Sequence, residues 1–110
     1  MIPHYRSEVL IEKSKKRIIL VVQKKEEILG TATLDGNELK AMFVKQAYHK
    51  TGIGRTLLKE IEDIAREKGL NKIEGEVSLT AVRFYRKNGY KLLGETVREG
   101  IITVKIEKQL

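Results

Sequence analysis

The apolar residues of this 110-residue chain change their period at Gly52, and that switch limits the folds open to it. Before the switch, three short apolar runs rich in β-branched residues follow one another at 17–22, 28–34 and 38–44. Each has the length and make-up of a strand. The polar Gln23-Lys24-Lys25-Glu26-Glu27 separates the first two, and the hairpin signal Asp35-Gly36-Asn37 separates the second two. Short links between successive strands predict an antiparallel meander. After the switch, Leu57, Leu58, Ile61, Ile64 and Ala65 recur at helical spacing. Glu62 and Arg66 stand at i, i+4 in the favourable order, and Gly69 closes the helix as a left-handed cap. A strand at 73–77, a short helix at 80–88 ended by Gly89, and strands at 90–95 and 101–106 complete the pattern, with Glu99-Gly100 as the last turn. Residues 3–16 fit either a helix or a strand. Pro3 suits a first helical turn, and Tyr5, Val9 and Leu10 fall on one face, which favours the helix.

The expected architecture is α+β, one domain over residues 1–110. It has a mixed, mostly antiparallel sheet of about six strands with helices on its faces. Hydrophobic residues make up 41% and charged residues 34%, a balance that supports a packed core at this length. Cysteine is absent, which excludes disulfides, thiolate zinc sites and cysteine nucleophiles. His4 and His49 stand far apart, so no metal site is expected. The longest apolar run, Ile18 to Val22, is strand-sized, and Met1-Ile2-Pro3-His4 opens no signal-peptide core. A soluble cytoplasmic protein, away from membranes, is the expectation. Lysine and arginine total 22 against 15 acidic residues, a formal charge of +7, which favours a polyanionic partner.

The segment most suggestive of chemistry runs from Val44 to Arg55. A strand ends there, and a basic loop bearing Gly52 and Gly54 leads into a helix. Amides at a helix start have no internal partner, and the helix dipole is positive there. Glycines allow a tight turn and a close ligand. Such a turn holds phosphate oxygens, with Lys45, Lys50 and Arg55 placing positive charge around it. It is neither the dinucleotide fingerprint, whose third glycine is replaced by Leu57, nor a P-loop, which needs Gly-Lys-Ser/Thr. A second segment, Ser78 to Tyr90, follows a strand and carries Ala81, Phe84 and Tyr85 on a short helix.

Taken together the two segments resemble the GNAT superfamily of acetyl-CoA-dependent N-acetyltransferases. His49-Lys50-Thr51-Gly52-Ile53-Gly54 is similar to that family's Gln/Arg-x-x-Gly-x-Gly/Ala loop. Ala81 to Tyr90 is similar to its Ala-x-x-Phe-Tyr-x-x-x-Gly-Phe/Tyr helix. The resemblance implies that Met42, Phe43 and Val44 meet the pantetheine arm of acetyl-CoA. It implies that the strand bearing them splays from its neighbour, and that amides from Lys50 to Arg55, with His49 at the first motif position, hold the pyrophosphate. Tyr85 would protonate the departing thiolate. Glu38 or Glu76 would take the proton of the attacking amine. With strict alternation, Glu38, Lys40, Met42 and Val44 share one face.

Three departures from the family pattern stand out. His49 replaces glutamine or arginine, and Ser78 and Thr80 stand where an asparagine often supports the pantetheine. The stretch before Arg17 is short, so the chain resembles a form lacking the usual N-terminal strand and helix. The acceptor side is then either open or completed by a second subunit in a homodimer. The expected partners are acetyl-CoA and an amine, small or on a protein, with no metal. The rival expectations are a CoA-binding or partner-binding module without catalysis, and a basic nucleic-acid-binding domain. Against the latter, aromatic residues are only 5% and no stacking or helix-turn-helix motif appears.

Overall fold

The computed structural model describes the backbone of residues 6–11 and 17–110, and side chains from residue 17 onward. The elements are β1 (Arg6–Ile11), β2 (Arg17–Lys24), β3 (Glu27–Asp35), β4 (Glu38–Val44), α1 (Ile53–Glu67), β5 (Lys72–Ser78), α2 (Val82–Lys87), β6 (Lys91–Arg98) and β7 (Ile101–Gln109). Short 3-10 turns at Gln46–Tyr48 and Leu79–Ala81 precede the two helices. The strands form one sheet in the order β1-β2-β3-β4-β5-β7-β6. β4 and β5 run parallel, and the other neighbouring pairs are antiparallel.

The meander, the long helix and the closing hairpin stand where the periodicity places them. The start of the chain differs. Arg6–Ile11, favoured as a helix, is a strand paired antiparallel with β2 from Arg6↔Gln23 to Ile11↔Ile18. Here pairing overrides local helix signals: β2 is rich in β-branched residues, and its free edge is satisfied by a further ladder. The sheet therefore has seven strands, and the N-terminal strand expected to be missing is present. Residues 12–16 link β1 to β2. The remaining part of that helix expectation, at 3–5 and 12–16, lies outside the described residues.

Both helices lie on one face of the sheet. Ile53, Leu57, Leu58 and Ile61 of α1 are buried against Leu20, Val22, Leu29, Leu34 and Ile73. Each such side chain contributes about 1.5–3 kcal/mol through burial. Gly30 lets the helix approach this closely: a Cβ there would stand 2.8 Å from the Phe43 carbonyl oxygen and 2.9 Å from Leu57 Cδ1. Phe84 of α2 lies against Gly54 of α1 on the same side. The expected Glu62–Arg66 pair does not form. Arg66 reaches Asp63 instead, at 3.1 Å, and Glu62 is 4% exposed, within the helix stripe facing the sheet. Among the described residues no helix is long and apolar enough to cross a membrane.

Candidate active site

β4 and β5 touch only at Glu38↔Glu74 and Leu39↔Gly75, and then separate. The gap is a cleft with two lobes that share Met42, Ala81 and Tyr85. The larger lobe, about 450 Å3, is bordered by Val44, Tyr48 and His49, by Gly52, Gly54 and Arg55 at the start of α1, and by Thr80 and Phe84. The smaller, about 290 Å3, takes Ala41 from β4 and Glu76 and Ser78 from β5. These three belong to the sheet face opposite the helices. Ala41 pairs with Thr33, Glu76 with Lys105 and Ser78 with Thr103, while the intervening Val77 pairs with buried Val104 on the helix side.

The floor of the larger lobe is backbone. Past Val44 the chain makes its 3-10 turn, then Lys50 (φ 64°) and Gly52 (φ 94°) turn through left-handed conformations into α1. Gly52 caps the helix without a side-chain hydrogen bond, and the first turn holds no acidic residue. The leading amides of α1 thus carry no partner within the helix, and no carboxylate of that first turn competes for them. His49 Nε2 donates to the Val44 carbonyl at 2.8 Å and ties the loop to the end of β4. The Thr51 hydroxyl donates to the Tyr48 carbonyl, turning inward to the loop. Ile53 is buried in the core and offers the cleft only its backbone. Lys45 is drawn away from the loop: it pairs with Glu27, whose hydrogen bond and charge raise its pKa. Lys50 and Arg55 remain at the lobe.

Tyr85 stands at the junction of the lobes, 5% exposed. Its hydroxyl donates to Met42 Sδ at 3.3 Å, and burial pushes its pKa up to about 12. The rings of Phe84 and Tyr90 meet it edge-on, with centroids 5.1 and 5.6 Å away.

Of the two carboxylates, only Glu76 reaches the cleft. Glu76 borders the smaller lobe, where Thr103 Oγ1 (2.6 Å) and Arg98 Nε (2.7 Å) donate to one oxygen. The Thr103 bond, then the Arg98 bond and charge, hold its pKa below the usual carboxylate range. Glu38 does not border the cleft. It lies in an adjoining hollow that Glu76 also borders, with Glu74, Leu93, Arg98 and Lys105, and its carboxylate is 3.3 Å from Lys40. The expectation that Glu38, Lys40, Met42 and Val44 share a face fails because β4 carries a bulge. Leu39 pairs with Leu34 and Ala41 with Thr33, which leaves Lys40 as the extra residue. From the bulge onward the alternation is reversed. Met42 and Val44 face the helices, and Glu38 and half-exposed Phe43 do not. Ser78 and Thr80 hydroxyls bond each other at 2.9 Å on the cleft rim. Sequence reasoning missed Tyr48 and Phe84 as lining residues. The available signal for Phe84 was its i, i+3 spacing from Ala81 on the short helix.

A splayed strand pair, a glycine turn opening a helix, and a buried tyrosine between them define a class, and the sequence comparisons agree with it. The profile of the Acetyltransferase (GNAT) domain matches residues 4–110, and the chain belongs to that family. A protein of Xenopus tropicalis named Probable N-acetyltransferase 14 is 32% identical over 89 residues, which cover 73% of this chain and 43% of that protein. Among solved structures, the PaiA N-acetyltransferase from Thermoplasma acidophilum, solved with coenzyme A, superposes with a TM-score of 0.76 at 26% identity. The match covers 88% of this chain and 63% of that one. A GCN5-related N-acetyltransferase from Rhodopseudomonas palustris shares the fold, with a TM-score of 0.80 at 22% identity, covering 86% and 62%. The chain thus spans less than two-thirds of the length of each, and less than half of the first.

Proposed function

We propose that the protein transfers an acetyl group from acetyl-CoA to a primary amine by direct attack. The carrying observation is the Tyr85 hydroxyl at the junction of the two lobes, beside the turn at Gly52. When bound, acetyl-CoA supplies an activated thioester. Amides of Lys50 and of Gly52 to Arg55, with Lys50 and Arg55 side chains and the His49-braced loop, would hold its pyrophosphate in the larger lobe, while the Thr51 amide donates to the Tyr48 carbonyl. Met42 and Val44 would line the path of the pantetheine arm, and Phe43 would contribute backbone only. Thr80 and Ser78 would border the arm from the other wall.

The amine nitrogen forms a bond to the acetyl carbon as the carbon–sulfur bond breaks. Tyr85 would give its phenolic proton to the departing sulfur and recover one from solvent. Glu76 is the carboxylate that borders the cleft. Its lowered pKa makes it weak as a direct base. It suits attraction of the amine's positive charge and the passing of a proton to water. A second subunit as the missing wall of the acceptor side belongs to the same reading.

Titration calorimetry with acetyl-CoA, using NADH and ATP as controls, tests the binding half. Selective micromolar binding is expected, and its absence overturns the proposal. Acetyl transfer to a panel of primary amines tests the rest. Binding without transfer to any of them would favour a CoA-binding module instead. The pH dependence of kcat carries a sign. An amine must lose its proton, so kcat rises with pH; Tyr85 acts protonated, and its raised pKa keeps it so. The profile is therefore expected to show no falling limb up to about pH 11. A fall beginning near pH 9 would assign the donor to another group.

A further inference from the structure

We infer that Glu62, paired with Lys108, is a positioning residue that sets where the Tyr85 hydroxyl stands in the cleft, acting through Tyr90. The inference rests on the reading of Tyr85 as the proton donor, and its test separates failure of the one from failure of the other.

α2 has six residues, too few to hold a helix unaided. The contacts that fix its C-terminal end converge on one buried carboxylate. Lys108 Nζ, from β7, donates to Glu62 Oε1 at 3.1 Å and Oε2 at 3.2 Å. It also donates to the Asn88 carbonyl at 2.9 Å, and Asn88 Nδ2 donates to the Phe84 carbonyl at 2.8 Å. The Tyr90 hydroxyl donates to Glu62 Oε2 at 2.9 Å. Burial, with the Glu62 carboxylate beside it, keeps the Tyr90 phenol protonated, so this donor persists. The Tyr90 amide donates to the Tyr85 carbonyl at 3.0 Å, and the two rings meet edge-on. Tyr85 then reaches Met42 Sδ. An unbroken series of contacts thus runs from β7 through α1 and the Tyr90 ring to the cleft.

An ion pair whose carboxylate is buried and whose ammonium is three-quarters covered is a poor choice for stability alone, because desolvation offsets much of its attraction. An apolar side chain at position 62 would fill the same space. It would not fix the tilt of the Tyr90 ring, which a carboxylate does by accepting the phenol. The ring in turn is a wall against which Tyr85 packs.

The test is a double-mutant cycle with Glu62→Gln and Tyr85→Phe, repeated with the milder Tyr90→Phe, using an amine from the panel above. With Tyr85 present, Glu62→Gln is expected to lower kcat by about 5–50-fold and to move the KM for acetyl-CoA by less than about twofold. With phenylalanine at 85, the same change is expected to alter kcat by less than about twofold. An equal loss in both backgrounds overturns the inference and leaves Glu62 a purely structural residue. The second readout needs no acceptor. In protein labelled with 13C at the tyrosine rings, Glu62→Gln and Tyr90→Phe are expected to shift or broaden the Tyr85 signal. An unmoved signal overturns the inference. If Tyr85→Phe itself leaves kcat intact, the proton-donor reading fails, and the ring signal alone decides whether Glu62 sets the position of Tyr85.

Discussion

Replacing Tyr85 by phenylalanine is expected to lower kcat by about 10²–10⁴-fold while acetyl-CoA affinity stays within about twofold, since a positioned general acid contributes on that scale. The change removes one hydroxyl, bonded among the described residues to the weak acceptor Met42 Sδ, and leaves the ring packed between Phe84 and Tyr90. The fold should hold, and the melting temperature with it. Steady-state kinetics with calorimetry on the same preparation check both halves. A variant with full turnover would remove Tyr85 from the chemistry. One that lost CoA binding instead would make the hydroxyl a binding group.

The second large effect is expected from Arg55→Glu, and its two halves have opposite signs. Position 55 lies in the first turn of α1, which has no acidic residue. A carboxylate there complements the helix dipole and should hold or raise stability, by about 0.3–1 kcal/mol. The same carboxylate faces the lobe proposed for the pyrophosphate, where it replaces attraction by repulsion. Acetyl-CoA affinity should fall on the order of 10–100-fold, less steeply at high salt. Thermal melting and calorimetry separate the two. A variant that binds acetyl-CoA as before would move the pyrophosphate site away from this turn.

Much of this was legible in the residues. The change of period at Gly52 located the end of the meander and the start of α1. Gly52-Ile53-Gly54 marked the turn, and the spacing from Ala81 to Tyr90 put Tyr85 on the short helix that borders the cleft. What escaped was whatever depends on partners distant in the chain. Arg6–Ile11 became a strand because β2 offered it a ladder, which no local window contains. Lys40 gives no sign of being a bulge residue, yet that bulge alone carries Glu38 away from the face of Met42. Glu62 read as one half of an i, i+4 pair with Arg66. It does stand four residues after Leu58 and three before Ala65, which places it on the apolar stripe. The cation that makes its burial tolerable, Lys108, comes from the last strand.

The placement of both helices on one side of the sheet has a consequence for the order of events. The gap between β4 and β5 passes through the sheet, with Met42, Val77 and Tyr85 toward the helices and Ala41, Glu76 and Ser78 toward the other side. On the proposed reading, the donor occupies the helix-side entrance and the amine reaches the thioester from the far one. Neither substrate then blocks the way of the other. Each can arrive or depart while its counterpart stays, so the two would bind in random order, and their product complexes would dissolve by either exit.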